Sequence, residues 1–147
     1  MANLHVTVAF VGDVARSRIV ELCAIGAAVA SNVPAFDLTL DRTGAYRGTG
    51  IAWAGPSHVP GALSQLARGL AEALAAGGFP VERRDFSPHV TLARRSGRFP
   101  PAAIATPIRW TATRVALYAS EAVAGGQRYR ELGGWLLVGP GPAETAS

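Results

Sequence analysis

Apolar and polar residues alternate at the start of the chain and again past its middle. Residues 4–10 read Leu-His-Val-Thr-Val-Ala-Phe, and residues 88–94 read Pro-His-Val-Thr-Leu-Ala-Arg. Alternation that includes β-branched residues is typical of a strand with one buried face, so both segments are predicted strands. Further strands are predicted at residues 36–40, 50–54, 109–120 and 129–138. A turn is predicted at residues 42–44, and a proline-rich loop runs through Pro107.

Two segments have the three-to-four-residue spacing of apolar positions that an amphipathic helix requires. The first begins at Ile19 and stops before Pro34, and Asp13 is its candidate N-cap. The second helix is predicted over the apolar positions Leu63, Leu66, Leu70, Ala73 and Leu74. The glycine pair at residues 77–78 closes it.

The two halves of the chain resemble each other. The segments His-Val-Thr-Val-Ala and His-Val-Thr-Leu-Ala begin 84 residues apart, at His5 and His89. Each is followed by two more predicted strands, the second of which holds a tryptophan, Trp53 or Trp135. We interpret this as a divergent duplication. It predicts an α+β fold of two pseudo-symmetric lobes, with antiparallel sheets lining a central cleft and helices on the outer faces.

Length and composition limit the class of protein. A chain of 147 residues with 49% hydrophobic and 16% charged residues is too apolar to be disordered and can bury a real core. We predict one domain over residues 1–147, with a disordered tail at 139–147. Neither a membrane span nor a signal sequence is found, so a cytoplasmic location is the default prediction. The single cysteine, Cys23, excludes an internal disulfide and a Cys-rich metal site.

The charge is +4, and all fourteen basic residues are arginines. Two interpretations stay open: GC-rich codons favour Arg and Ala, and Arg also binds phosphate through paired hydrogen bonds. Five arginines lie within sixteen positions, namely Arg83, Arg84, Arg94, Arg95 and Arg98. This clustering shifts the balance a little towards a phosphate-bearing partner.

His5 and Thr7 are predicted to share one face of their strand, since alternate residues of a strand point the same way. His89 and Thr91 are predicted to do the same. The opposite faces are predicted to meet the core through Val6, Val8, Val90 and Leu92. Matching strands of a duplicated fold tend to lie side by side, so two imidazoles and two hydroxyls would converge in one cleft. That set suits metal-free phosphodiester cleavage, because histidine can act as acid or base near neutral pH.

Other interpretations of the histidines carry less weight. A single strand histidine is more often structural, but the repeated His-x-Thr pattern in a chain with three histidines favours chemistry. The third, His58, lies outside the pattern and is predicted to be a surface residue. Two histidines fall short of the three or four protein ligands usual for zinc, so neither a metal nor another cofactor is predicted.

These paired motifs resemble those of the 2H phosphoesterase superfamily. The closer resemblance is to its RNA 2′,3′-cyclic phosphodiesterase branch, also called 2′-5′ RNA ligases or LigT-like proteins. Residues 3–12 resemble the first motif of that family, and residues 78–80 with 86–94 resemble the second. Residues 117–121, with Gly126 and Tyr129, resemble its C-terminal strand pair. The resemblance extends to about residue 138.

The resemblance implies a metal-independent hydrolysis. An RNA-terminal 2′,3′-cyclic phosphate would open to a 2′-phosphate, with the 3′ oxygen as leaving group. His5 would be the proton donor to that oxygen, and His89 would be the proton acceptor that activates water. The phosphate would be bound by Thr7, Thr91 and Arg94. Weak reverse 2′-5′ RNA ligation is a further implied activity.

Three rings close to the motifs, Tyr46, Trp53 and Phe86, are predicted to be structural, with stacking on an RNA base as the alternative. Two other functions also stay open for the whole chain. One is a non-catalytic module that binds RNA or phosphate. The other is a 2H phosphodiesterase that acts on another small cyclic phosphodiester.

The resemblance also implies a strand and a helix before the first motif, and we expect this unit to be missing from the chain. Three explanations stay open: a misassigned or trimmed start, a natural short form, or a second copy that fills the gap. A missing strand leaves a sheet edge open to pairing, so a homodimer through that edge is a candidate partner arrangement.

Overall fold

The computed structural model describes residues 4–139, and both predicted helices and most of the predicted strands occur in it. A short 3₁₀ helix, Arg16–Arg18, leads into helix α1 (Ile19–Ala30). The remaining elements are strands β1 (Phe36–Tyr46) and β2 (Ile51–Gly55), helix α2 (Gly61–Ala76), and strands β3 (Val90–Ala93), β4 (Ala102–Ala112), β5 (Arg114–Val123) and β6 (Gly126–Leu136). Apart from Gly139, the predicted tail lies outside the described residues.

The strands form two antiparallel sheets, one for each lobe. Four strands lie in the order β3-β2-β1-β4, and β5 pairs with β6 in a two-stranded ribbon. Leu63 of α2 packs against Leu38 and Leu40 of β1, so α2 covers one face of the four-stranded sheet. Helix α1 contacts both strands of the ribbon and also α2. The predicted α+β fold with two lobes is confirmed.

A shared apolar cluster joins the lobes. Its buried members are Ala30, Val33, Leu66 and Leu137, which come from α1, the loop after it, α2 and the chain after β6. Backbone hydrogen bonds reinforce the junction: Ala35 N donates to Val138 O at 2.7 Å, and Val138 N donates to Val33 O at 2.9 Å. The end of the ribbon is thereby fixed to the loop between α1 and β1.

Residues 4–10 form no regular strand and bend at Val8, so the predicted strand there is wrong. Within residues 4–139, only Val6 of this segment pairs, in an isolated antiparallel bridge to Val90. The ladder cannot continue on either side. Pro88 lacks an N–H to donate, and on the other side the register of β3 shifts at Leu92. The prediction that Val6 and Val8 point towards the core is nevertheless confirmed, because both side chains pack against it.

The predicted burial of Leu92 is also wrong, since its side chain is 48% exposed. Ala52 and Trp53 of β2 pair with Ala93 and Thr91, so Leu92 is an extra residue between them. The extra residue of a bulge interrupts the alternation of side chains between the two faces of the sheet, and Leu92 is therefore not directed into the core.

The predicted turn at residues 42–44 lies inside β1, and the chain turns at residues 47–50 instead. Gly44 serves packing rather than turning. A Cβ atom there would lie 2.5 Å from the Trp53 ring, so only glycine lets the tryptophan lie flat on β1.

The strand predicted at residues 109–120 is broken at Thr113, because β4 pairs with β1 whereas β5 pairs with β6. Pro107, predicted in a loop, lies in β4. That strand is at a sheet edge, where a missing N–H is tolerated. Asp13 does not cap α1, which begins after the 3₁₀ helix with no side-chain cap.

Both predicted helices are confirmed, with α1 ending at Ala30 and α2 ending just before Gly77. Within the described residues, no helix has the length and apolar character that crossing a membrane requires. The cytoplasmic location stays a prediction.

Replacing Leu63 with alanine tests the packing of α2 on the four-stranded sheet. Leu63 is 2% exposed, so its loss leaves a cavity, and we expect the free energy of unfolding to fall by about 2–5 kcal/mol. Urea denaturation measures the change. The matched control is Leu136→Ala, at a leucine that is 75% exposed, with an expected effect of about 0.5 kcal/mol. Equal effects of the two variants would contradict the packing described.

Candidate active site

The bridge between Val6 and Val90 brings the two His-x-Thr motifs side by side. Val90 is 5% exposed, and Val6 packs against the same core cluster. Because neighbouring residues of an extended chain point to opposite sides, the residues that flank the two valines face away from the core. Both motifs therefore present their polar residues on one surface.

The antiparallel register of this bridge places His5 across from Thr91 and Thr7 across from His89. Directly opposed side chains start roughly 5 Å apart, and diagonal ones about 7–8 Å apart. The two histidines form a diagonal pair across the bridge. The surface is open, because His5 and Thr7 are exposed and the other two residues are half-buried.

His89 is held through one ring nitrogen. Its Nδ1 atom lies 2.9 Å from the Ser87 carbonyl oxygen and 2.9 Å from the Tyr46 hydroxyl oxygen. A carbonyl oxygen can only accept, so Nδ1 carries the hydrogen in the neutral ring. The lone pair then belongs to Nε2, which is left to accept a proton from a ligand.

Tyr46 is in turn held by the four-stranded sheet. Its ring meets the His89 imidazole edge-on at 5.1 Å between centroids, and it contacts the Trp53 ring at 5.9 Å. Trp53 pairs across the ladder with Thr91 and with Gly44, so it lies on the same face as the threonine. These contacts agree with the predicted structural roles of Tyr46 and Trp53, and Phe86 packs against the core cluster, while stacking on an RNA base stays the alternative.

His5 faces the two-stranded ribbon. The Tyr129 ring lies 5.1 Å from the imidazole centroid, at an interplanar angle of 63°. Glu131, two residues further along β6, is on the same face and accepts hydrogen bonds from Arg114 and from the Tyr118 hydroxyl. The hydrogen bond from Arg114 is the main reason that the pKa of Glu131 lies below its ordinary value.

Sequence reasoning misses the contacts of Tyr46 and Tyr129 with the two histidines. The pattern predicts a turn at residues 42–44, which would end the strand before it reaches Tyr46. Tyr129 belongs to the resemblance at the C-terminal strand pair, but nothing in its spacing indicates a contact with His5. Both contacts depend on which strands pair, and the pattern of apolar and polar residues does not indicate that pairing.

Arg94 comes directly after β3 and is exposed. It makes neither an ion pair nor a side-chain hydrogen bond with any residue of 4–139, so its charge is available to an anion. His58 is exposed, as predicted. No three His, Cys, Asp or Glu side chains of the described chain are grouped so that they could hold a metal ion. Metal independence stays a prediction.

Comparison with known proteins gives consistent results. The model of the 2′-5′ RNA ligase superfamily matches residues 2–124. A protein of Escherichia coli (strain K12) named RNA 2′,3′-cyclic phosphodiesterase is 34% identical over 141 residues, which are 92% of this chain and 77% of that protein. A protein of the same name from Geobacillus stearothermophilus is 38% identical over 96 residues, 63% of this chain and 30% of that one.

Solved structures agree in fold. The crystal structure of E. coli LigT in apo form superposes with a TM-score of 0.81 at 33% identity, covering 92% of this chain and 77% of that chain. The crystal structure of TT0787 of Thermus thermophilus gives a TM-score of 0.80 at 28% identity, covering 92% and 79%. Both the sequence and the fold are thus similar to one group of proteins.

The Ser87 contact predicts which nitrogen of His89 carries the hydrogen. We expect the neutral imidazole to be protonated at Nδ1, whereas a free imidazole prefers Nε2. Long-range ¹H–¹⁵N correlation spectra distinguish the two forms. The exposed His58 makes neither of these contacts and serves as the internal reference. The same mixture of forms in both residues would contradict the geometry.

Proposed function

This chain belongs to the 2′-5′ RNA ligase superfamily, and from that premise we propose that it hydrolyses RNA-terminal 2′,3′-cyclic phosphates to 2′-phosphates. The observation that carries the proposal is the single bridge that sets two His-x-Thr motifs on one exposed surface. Relatives named RNA 2′,3′-cyclic phosphodiesterase support it. Both motifs lie at the edge of the four-stranded sheet and His5 also meets the ribbon, so both lobes would act as one catalytic domain.

His89 is the base in this mechanism, and His5 is the acid. The unprotonated Nε2 of His89 takes a proton from water as the water oxygen bonds to phosphorus. His5, protonated, gives its proton to the 3′ oxygen as the bond between phosphorus and that oxygen breaks. The water oxygen attacks on one side of phosphorus and the 3′ oxygen leaves on the opposite side. The diagonal placement of the two imidazole rings allows this arrangement. The products are a 2′-phosphate and a 3′-hydroxyl.

The remaining motif residues hold the phosphate. Thr7 and Thr91 each stand opposite a histidine and donate their hydroxyl hydrogens to non-bridging oxygens. Arg94 supplies the positive charge that these oxygens require. If a 5′-hydroxyl replaced water as the nucleophile, the same displacement would form a 2′-5′ linkage, which is how we account for a weak ligation activity.

Tyr46 is a positioning residue for His89. Its hydroxyl oxygen and the Ser87 carbonyl share the Nδ1 hydrogen, which fixes the plane of the imidazole. They also stabilise the positive charge that the ring gains when it accepts a proton. The benefit is therefore larger in the transition state than in the resting enzyme.

A homodimer is the second part of the proposal. The ribbon of β5 and β6 has no third strand among residues 4–139, so its outer edges are open to pairing. We infer that a second copy pairs there. Light scattering on a size-exclusion column is expected to give about twice the chain mass of 15.2 kDa. A mass of one chain at every concentration would overturn this part.

Replacing either motif histidine tests the mechanism. With an oligoribonucleotide that ends in a 2′,3′-cyclic phosphate, in EDTA, we expect His5→Ala and His89→Ala each to lose about 100-fold or more of kcat, because each removes one proton transfer. His58→Ala is the matched control and keeps full activity. The product is identified by the position of its phosphate.

The other outcomes of this assay separate the alternatives. Binding without turnover in the wild type would point to a non-catalytic module. Activity on a small cyclic phosphodiester in preference to RNA would point to a different substrate. Loss of activity in EDTA, or full activity of His5→Ala, would overturn the two-histidine mechanism.

The role of Tyr46 is tested by Tyr46→Phe, which removes one hydrogen bond and keeps the ring packing. We expect kcat to fall about two- to tenfold, since a hydrogen bond contributes about 0.5–1.5 kcal/mol. KM should change little. A larger effect on KM than on kcat would place Tyr46 in substrate binding instead.

A further inference from the structure

One corner of the molecule joins two segments that are far apart in sequence. The turn between β1 and β2 contains Arg47 and ends at Gly50, whose carbonyl oxygen accepts hydrogen bonds from both N and Oγ of Ser96, each at 2.9 Å. The backbones are in contact as well, because a Cβ atom on Gly50 would lie 3.2 Å from Arg95 Cα. Arg47 and Arg95 are thus carried by one connected piece of backbone.

Arg95 has a backbone conformation that is unusual for an arginine. Its φ angle of 57° is the only positive value among the non-glycine residues of 4–139. Residues other than glycine rarely adopt this region, and such strain persists where the surroundings enforce it. Here the two hydrogen bonds of Ser96 enforce it, so the position of the residue is fixed by its neighbours.

The corner carries positive charge that nothing in the described chain compensates. Its arginines, which we call the basic corner, are Arg47 and Arg95. Both are exposed, and neither makes an ion pair or a side-chain hydrogen bond within residues 4–139. Residues 42–58 and 86–98 contain no acidic residue. An anion approaching this corner meets no like charge from either segment.

On the ribbon of β5 and β6, which lies on the other side of the site, part of the positive charge is compensated. On the ribbon, Arg114 pairs with Glu131 and Arg130 pairs with Glu121, so two of its arginines are neutralised. Attraction of an anionic chain is therefore stronger on the side of the basic corner. That side adjoins the site, because Arg47 follows Tyr46, the partner of His89, and Arg95 closely follows β3.

We propose that the basic corner binds the phosphodiester backbone of the nucleotides that precede the reactive end of the RNA. This inference rests on the proposed function and adds the substrate class: a single-stranded oligonucleotide in preference to a cyclic mononucleotide. Guanidinium groups bind phosphates through paired hydrogen bonds, and a chain of phosphates engages several of them at once. Arg94 remains the contact to the reacting phosphate.

The test compares two substrates and three proteins. The substrates are adenosine 2′,3′-cyclic phosphate and an octanucleotide RNA with the same cyclic end. The proteins are the wild type, the double variant Arg47→Ala/Arg95→Asn, and Arg68→Ala as control. Asparagine tolerates the positive φ at position 95. Arg68 lies on α2, which covers the opposite face of the sheet. Thermal melts verify that all three proteins are folded.

For the double variant we expect kcat/KM on the octanucleotide to fall about tenfold, with less than about a twofold change on the mononucleotide. Fluorescence anisotropy with a labelled octanucleotide ending in a 2′-phosphate measures binding without turnover. The slope of the logarithm of the binding constant against the logarithm of the salt concentration should become shallower by about 1.4 in the double variant. Each contact between an arginine and a phosphate of a single strand contributes about 0.7 to that slope, and the double variant removes two such contacts. Arg68→Ala should match the wild type throughout.

Each contrary result has a definite meaning. Equal losses on both substrates would assign these arginines to the reacting phosphate, and no loss on either would leave them without a role in binding. Both results overturn the inference. If the wild type cleaved neither substrate, the proposed function would fail. The binding measurement would still decide the inference, which holds only if the double variant binds the octanucleotide more weakly.

Discussion

A single antiparallel pairing, Val6 with Val90, is the constraint on which the site depends. It connects residues 4–10, which have no other ladder partner in the part of the chain that the structure describes, to the edge of the four-stranded sheet. Apolar packing supports the bridge, because both valines contact the core cluster that Leu38, Leu40 and Leu63 form. The polar residues beside each valine are thereby directed outwards, and two distant parts of the chain present one surface.

The two lobes support this surface from behind. Helix α2 fills the inner face of the four-stranded sheet, and α1 lies against the ribbon, with both helices in contact. Because the junction between lobes is made of buried apolar residues and two backbone hydrogen bonds, the lobes keep a fixed relation. That relation sets the distance between His5, which touches the ribbon through Tyr129, and His89, which belongs to the sheet.

Much of this could be predicted from local pattern. Both helices follow from apolar spacing, and the repeated His-x-Thr segments indicate the site without any knowledge of pairing. The wrong predictions lie at positions where contacts between distant parts of the chain determine the local structure. Gly44 resembles a turn residue, but it is glycine because Trp53 lies on it. Leu92 fits the alternation of its strand, but a bulge places it in solvent. Thr113 continues a β pattern, yet the chain changes sheets there.

The duplication poses a chemical problem that local sequence does not solve. Acid and base must differ in protonation, whereas the two motifs are nearly identical. The neighbours supply the difference. His89 has a carbonyl and a hydroxyl oxygen at one ring nitrogen, which selects a tautomer suited to accepting a proton. His5 has the edge of an aromatic ring beside it. The assignment of His89 as the base and His5 as the acid follows from the family resemblance, and the contacts at Nδ1 of His89 support its part of that proposal.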